Sequence, residues 1–183
     1  MLLEVVARSG LSQEDFANSV GYPAARFGRV LTGRTRISPD LAHAVAQRYK
    51  IDPLDLLIRQ NRTALATIAA DRDHNAFTTT SAPAVRRQPV CRDVDASAIN
   101  VVRAVITKTG LSNSRFAVTL GYDPTIISKI LNGHQPITPA LADSISRRYG
   151  IDASDLLARQ ARWQLAAVAE RNTSTRPAAA PPG

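Results

Sequence analysis

Apolar residues recur every three to four positions along most of this chain, the spacing that places them on one face of an α-helix. These stretches are separated by short segments rich in glycine, proline or a capping Ser, Thr or Asp. No stretch alternates apolar and polar residues in the way a half-buried β-strand would. The pattern therefore predicts an all-α protein.

The predicted helices fall into two sets of five, because the chain repeats itself at an offset of one hundred residues. Of the first seventy positions, 27 hold the same residue one hundred positions later, without any gap. Gly21-Tyr22, for example, returns as Gly121-Tyr122. Two copies are too few for a stacked solenoid, so the repeat indicates two tandem domains.

Caps and stops set the expected helix boundaries in both copies. Ser12 and Ser112 are predicted N-caps, and Pro39 and Pro139 are predicted first-turn prolines. In the first copy we expect helices over about 2–8, 13–20, 23–31, 39–49 and 52–69. The second copy should have helices over about 99–108, 113–120, 124–131, 139–149 and 152–169.

Composition divides the chain into four parts. The two domains are predicted at residues 1–70 and 99–171. Residues 71–98 are predicted to be a flexible linker, because their Thr, Ser, Pro and charged residues resist packing. Residues 172–183 are rich in Pro and Ala and are predicted to be a disordered tail.

The chain carries a net charge of +8. The positive charge lies mainly on the two repeats, since the linker holds equal numbers of acidic and basic residues. A basic charge on folded domains favours a polyanionic partner such as nucleic acid.

Several other classes of protein are not expected. The single cysteine, Cys91, allows no disulfide framework within the chain, which fits a reducing cytoplasm. No apolar run is long enough to span a membrane, and the N-terminal residues lack a signal-peptide pattern. The histidines are scattered and no catalytic or metal-binding motif is present, so we expect no enzyme and no cofactor.

The second and third predicted helices of each copy have the layout of a helix-turn-helix. A small residue, Ala17, permits a close helix crossing, and Gly21 permits a positive φ in the turn. The apolar side of the third helix should pack on the core through Phe27, Val30 and Leu31, and in the second copy through Ile127, Ile130 and Leu131. The other side is small, polar or basic and could enter a major groove about 12 Å wide. Its residues are Ala24, Ala25, Gly28 and Arg29, and then Pro124, Thr125, Ser128 and Lys129.

Taken together, these motifs resemble the Cro/CI-type (XRE) helix-turn-helix family. The segments 33–42 and 132–142 are similar to HigA-type antitoxins and to related repressors. The resemblance covers both repeats but neither the linker nor the tail. It implies a five-helix fold, binding to double-stranded DNA as a two-fold pair, and usually repression.

The same resemblance implies which residues contact DNA. Base contacts would come from the third helix, and Arg26 lies on the same helix. These base-contact positions are Ala24, Ala25 and Arg29, and Pro124, Thr125 and Lys129. Phosphate contacts would come from the start of the second helix and from the loop after the third, namely Gln13, Thr32, Arg34, Arg36, Asn113, Asn132, His134 and Gln135. Because the copies differ at these positions, the two DNA half-sites should differ in sequence.

Three downstream roles remain open at this point. The expected role is a transcriptional repressor that reads an operator with two recognition helices in adjacent major grooves. The alternatives are an antitoxin that neutralises a toxin partner, and an accessory factor for plasmid transfer, replication or partition.

The role of the fifth helices is also open. An apolar strip on these helices could either mediate self-association or pack on its own domain. Its residues are Leu57, Leu65 and Ile68, and Leu157, Leu165 and Val168. The chain could therefore act as a pseudo-dimeric monomer or as a true dimer with four recognition helices.

Overall fold

The computed structural model of the chain describes residues 2–75 and 97–174. Within these ranges the chain forms ten α-helices and no β-strand, which confirms the all-α prediction. The first repeat contains five of the helices: α1 (Leu2–Ser9), α2 (Gln13–Ser19), α3 (Ala24–Leu31), α4 (Pro39–Tyr49) and α5 (Pro53–Asn75). The second repeat contains α6 (Ala98–Thr109), α7 (Asn113–Thr119), α8 (Pro124–Leu131), α9 (Pro139–Tyr149) and α10 (Ala153–Ser174).

The fourth helices of both repeats begin with a side-chain N-cap. The hydroxyl of Ser38 accepts a hydrogen bond from the Leu41 N–H at 3.2 Å, and that of Thr138 accepts one from the Leu141 N–H at 3.3 Å. The proline that follows each cap occupies the first helical turn, where its missing N–H costs nothing. These local signals explain why α4 and α9 begin where the sequence predicts.

The fifth helices are longer than the sequence predicts. They end at Asn75 and Ser174, so the first residues assigned to the linker and to the tail are helical. Propagating an existing helix costs little, and the polar residues from Asp71 to Asn75 can extend it without needing a core. At the other end of the predicted linker, Ala98 belongs to α6 and is buried. The remaining linker and tail positions, 76–96 and 175–183, lie outside the described residues.

The chain forms two compact units that divide the fifth helices between them. Among the described residues, the first unit contains 2–60 and 161–174, and the second contains 61–75 and 97–160. The sequence assigned each fifth helix to its own repeat. In the structure, each unit instead combines the first eight residues of one fifth helix with the rest of the other.

The core of the first unit is built on Phe16, Phe27 and Leu41, all of which are fully buried. Ala161 of α10 is buried in the same cluster, and Leu165 packs against it. At the surface of this unit, Arg171 forms an ion pair with Asp40 at 3.3 Å. The last turns of α10 are therefore part of the fold around the first helix-turn-helix.

The second unit has a matching core in which Phe116, Ile127 and Leu141 are buried. Leu65 of α5 packs against this cluster, and Arg72 forms an ion pair with Asp143 at 3.6 Å. Of the apolar strip that the sequence identified, Leu57 and Leu157 belong to the core of their own repeat. Leu65 of the first repeat packs against the core of the second unit, and Leu165 of the second repeat packs against the core of the first unit.

Candidate nucleic-acid interface

The helix that precedes each recognition helix is fixed at its N-terminus by a serine cap. The Ser12 hydroxyl accepts a hydrogen bond from the Asp15 N–H at 3.1 Å, and the Ser112 hydroxyl accepts one from the Arg115 N–H at 3.3 Å. Each cap satisfies an N–H that has no partner within the helix. Gln13 and Asn113, the first residues of α2 and α7, are exposed beside these caps.

The turn between the two helices has the same backbone geometry in both repeats. The Tyr22 N–H donates to the Ala17 carbonyl at 2.9 Å, and the Tyr122 N–H donates to the Ala117 carbonyl at 3.0 Å. The glycine before each tyrosine has a positive φ, +64° at Gly21 and +73° at Gly121. A side chain at these positions would be strained, which is why glycine suits this turn.

The inner face of each recognition helix is anchored in its core. In the first unit Phe27 stacks on Phe16, with ring centroids 5.2 Å apart, and Phe16 also stacks on Tyr49 at 4.7 Å. In the second unit Ile127 replaces Phe27 and is equally buried. The predicted apolar anchors of α3 and α8 are therefore inside the cores or packed against them.

The outer face of each recognition helix presents most of the predicted base-contacting residues to solvent. Ala24 and Gly28 are only half-exposed, and Ala24 packs against the core because it lies in the first turn of α3. The exposed residues are Ala25, Arg26 and Arg29 on α3, and Pro124, Thr125, Ser128 and Lys129 on α8.

The loop after each recognition helix folds back onto the end of that helix. The Thr35 N–H donates to the Arg29 carbonyl at 3.1 Å, and the His134 N–H donates to the Lys129 carbonyl at 2.8 Å. The loop residues predicted to contact phosphates are exposed, except Gln135, which is half-buried. The exposed ones are Thr32, Arg34, Arg36, Asn132 and His134.

Four arginines give the first unit a basic surface around its recognition helix. Arg26, Arg29, Arg34 and Arg36 are all exposed, and within the described part of the chain none of them lies in an ion pair. Their guanidinium donors are therefore not neutralised by a neighbouring carboxylate. They can instead donate to base edges or to phosphate oxygens.

The recognition helix of the second unit has a side-chain cap that the first unit lacks. Asp123 accepts a hydrogen bond from the Thr125 N–H at 2.7 Å. Hydrogen bonds from the side chain and the backbone of Thr125 lower the pKa of Asp123, because they stabilise the ionised carboxylate. Pro23 occupies the corresponding cap position in the first unit and makes no side-chain bond.

Arg103 is a residue at this site that the sequence analysis missed. It lies on α6, and its guanidinium donates to the Leu131 carbonyl at the end of α8, at a distance of 2.8 Å. A cation at a helix C-terminus is favourable, because the unpaired carbonyls there carry partial negative charge. The first repeat has Leu3 at the corresponding position, so a comparison of the copies could have marked Arg103 as unusual.

Gln60 and Gln160 are the other residues that the sequence analysis passed over. Each accepts a hydrogen bond from the backbone N–H of the isoleucine that follows the recognition-helix loop, Ile37 or Ile137. Both copies have glutamine at this position, which was the sign in the sequence that it matters. Their partners lie 23 residues away, so the bonds became visible only in the structure.

Comparison with protein families finds two matches that coincide with the two helix-turn-helix motifs. A family described as "Helix-turn-helix domain" matches residues 4–57, and a family described as "Helix-turn-helix" matches residues 102–156. No curated protein and no solved structure gives a significant match. Among the described residues, no helix is long and apolar enough to cross a membrane.

The matched families consist of DNA-binding domains rather than enzymes, which agrees with the caps, turns and exposed helices described above. The geometry and the family matches thus point to sequence-specific binding of DNA. The chain belongs to the helix-turn-helix proteins and carries two domains of the XRE type in tandem.

Proposed function

We propose that this protein is a transcriptional repressor that reads an operator with both recognition helices, placed in adjacent major grooves. The observation that carries the proposal is that both units anchor a recognition helix on its inner face and expose basic or polar side chains on its outer face. Arg29 and Lys129 occupy the same position in the two helices, and both are exposed.

The two kinds of contact would contribute differently to binding. A bidentate contact between Arg29 and a guanine gives roughly 1–3 kcal/mol of discrimination against other bases. Arg34 and Arg36 would contact phosphates, which adds affinity without sequence preference and weakens as salt is raised. Lys129 would discriminate less, because an ammonium lacks the planar fork of a guanidinium.

The joining of two readers in one chain supports the use of both on one operator. Once one unit is bound, the other searches at a high effective concentration, so two weak half-site interactions can give one strong complex. Because the exposed residues of α3 and α8 differ, the two half-sites would not be identical in sequence.

The experiment is a salt-titrated binding assay on the DNA that flanks the protein's own gene. The variants are Arg29→Ala and Lys129→Ala, and the matched control is Arg48→Ala, an exposed arginine on α4 outside the proposed interface. We expect a protected site that survives competitor DNA and is weakened by the first two variants only. The length of the footprint would show whether two or four recognition helices are bound.

Binding that ignores sequence, or that neither variant weakens, would overturn the operator-reading proposal. That result would favour an antitoxin role, in which a protein partner is the main target. A specific site at an origin of replication or transfer instead of a promoter would favour the accessory role.

A further inference from the structure

The loop after each recognition helix is tied at its far end to a fifth helix. The Gln60 side-chain oxygen accepts a hydrogen bond from the Ile37 N–H at 2.5 Å. In the second unit the Gln160 side-chain oxygen accepts from the Ile137 N–H at 2.6 Å, and its amide nitrogen donates to the Ile137 carbonyl at 3.0 Å. We call each of these arrangements a glutamine clamp.

The clamp satisfies a backbone group that has little access to water. Ile137 is buried in the core of the second unit. Ile37 packs against the core of the first unit. A partly buried N–H needs a hydrogen-bond partner, and no helix supplies one at these positions. The glutamine side chain therefore fixes both the position and the direction of the backbone at the end of the loop.

The near end of each loop is fixed by the bonds to the recognition helix described above, from Thr35 to Arg29 and from His134 to Lys129. In the first unit, Arg36 lies between the two anchored residues, Thr35 and Ile37. Arg34 lies in the turn that the bond from Thr35 to Arg29 closes, so the backbone at both arginines has few remaining degrees of freedom.

We infer that Gln60 and Gln160 are positioning residues for DNA binding, which hold the loop after each recognition helix in the conformation that meets the phosphates. The inference rests on the proposed function, because it takes these loops to be phosphate contacts. Neither glutamine needs to touch DNA, since each acts through the loop backbone. Preorganising the loop removes an ordering cost that binding would otherwise incur.

The two clamps should differ in their effect on salt dependence. The loop of the first unit carries two arginines, Arg34 and Arg36, whereas that of the second carries His134 and Pro136 at the corresponding positions. Only cationic contacts to phosphates release counterions. Loss of the first clamp should therefore weaken binding and reduce its salt dependence, while loss of the second should weaken binding alone.

The test measures the operator affinity of the full chain against salt concentration at pH 8. The variants are Gln60→Leu and Gln160→Leu. The control is Gln47→Leu, which removes an exposed glutamine whose side chain bonds His43 on the same helix. For Gln60→Leu we expect the slope of log K against log salt to fall by about 0.9 per lost contact, which is roughly fivefold in affinity per contact at 0.15 M salt.

For Gln160→Leu we expect weaker binding with an unchanged slope, and for Gln47→Leu no change in either quantity. The preference for the operator over mutated sites should persist in all three variants. Amide hydrogen exchange should show faster exchange at Ile37 in Gln60→Leu, because its N–H has lost its acceptor.

A second variant guards against loss of folding. Gln60→Asn keeps the amide group but shortens the side chain by one methylene, so it should show the same change in slope with a smaller loss of stability. Wild-type affinity and slope in folded Gln60→Leu and Gln60→Asn would overturn the inference and leave the proposed function standing. Failure of the wild type to bind any operator would overturn the proposed function, and the inference with it.

Discussion

Residue by residue, the two copies are more alike inside the cores than on the outer faces of the recognition helices. Buried positions stay apolar in both copies. Phe16 and Phe116 are identical, whereas Phe27 is replaced by the smaller Ile127. Exposed positions of the recognition helices change chemistry, as from Ala25 to Thr125. Different side chains on the outer faces of the two recognition helices are what different half-sites would require.

Arg29→Lys should reduce base discrimination while keeping the charge. A guanidinium can donate two parallel hydrogen bonds to guanine, and an ammonium cannot reproduce that geometry. We expect a loss of roughly 1–3 kcal/mol of discrimination at one base pair of the first half-site. The measurement is the affinity for an operator set with each base pair substituted in turn. Equal loss at every base pair would contradict base reading by Arg29.

Asp123 should titrate below the usual range of an aspartate. Because its folded-state pKa is lowered by Thr125, the cap stabilises the second unit at pH values above the unfolded pKa. That stability is lost as the pH falls through the lower, folded pKa. Carboxyl NMR titration of the folded protein should give a midpoint below about 3.9, the unperturbed value.

Asp123→Ala should lower the unfolding temperature near neutral pH, and its difference from the wild type should shrink in strong acid. The first unit provides an internal reference, since Pro23 has no titrating cap. A midpoint at or above the unperturbed value would show that the cap bond does not form.

Among the secondary-structure elements, α3 contains a residue that weakens it. Gly28 has no positive φ, and a Cβ added there would meet no atom within 4 Å. The backbone would therefore accept alanine without strain. Gly21 has equal space but a φ of +64°, which disfavours any side chain.

Gly28→Ala should therefore stabilise the protein by about 0.5–1 kcal/mol, because alanine loses less conformational freedom in a helix. Gly21→Ala, the matched substitution, should destabilise it by about 1–2 kcal/mol. Thermal or denaturant unfolding of both variants checks the pair. A destabilised Gly28→Ala would contradict the helical geometry of α3 at this position.

At the scale of the whole molecule, the repeats do not coincide with the compact units. Residues of α10 complete the core around the first helix-turn-helix, and residues of α5 complete the second. A substitution in the second repeat should therefore destabilise the first unit.

Ala161→Leu is the test of this arrangement. Ala161 is buried in the first core, so the larger side chain should overpack it and cost about 1–3 kcal/mol. The control is Ala166→Leu, an exposed position on the same helix. Amide hydrogen exchange should show weaker protection at Phe27 and Leu41 than in the wild type. A loss of protection confined to Ile127 and Leu141 would show that Ala161 packs with its own repeat.

Much of this protein was predictable from local sequence signals. The all-α class, the tandem repeat, the serine and threonine caps and the glycine turns all depend on residues close together in the chain. The helical spacing of the apolar residues predicted which faces of the recognition helices are buried. Most of the proposed DNA-contacting residues are indeed exposed, and their contacts with DNA remain a prediction.

Tertiary structure decided the features that join distant parts of the chain. Periodicity shows that Leu165 faces a core but cannot show which core, because two similar cores present similar apolar surfaces. The bond from Arg103 to the Leu131 carbonyl and the clamps formed by Gln60 and Gln160 could not be predicted for a similar reason, because their partners are far apart in the chain. The local sequence determined which helices form and which faces they bury, since those depend on neighbouring residues. The tertiary structure alone decided which part of each fifth helix completes which unit, and which side chain holds each loop. Both depend on contacts between residues that are far apart in the chain.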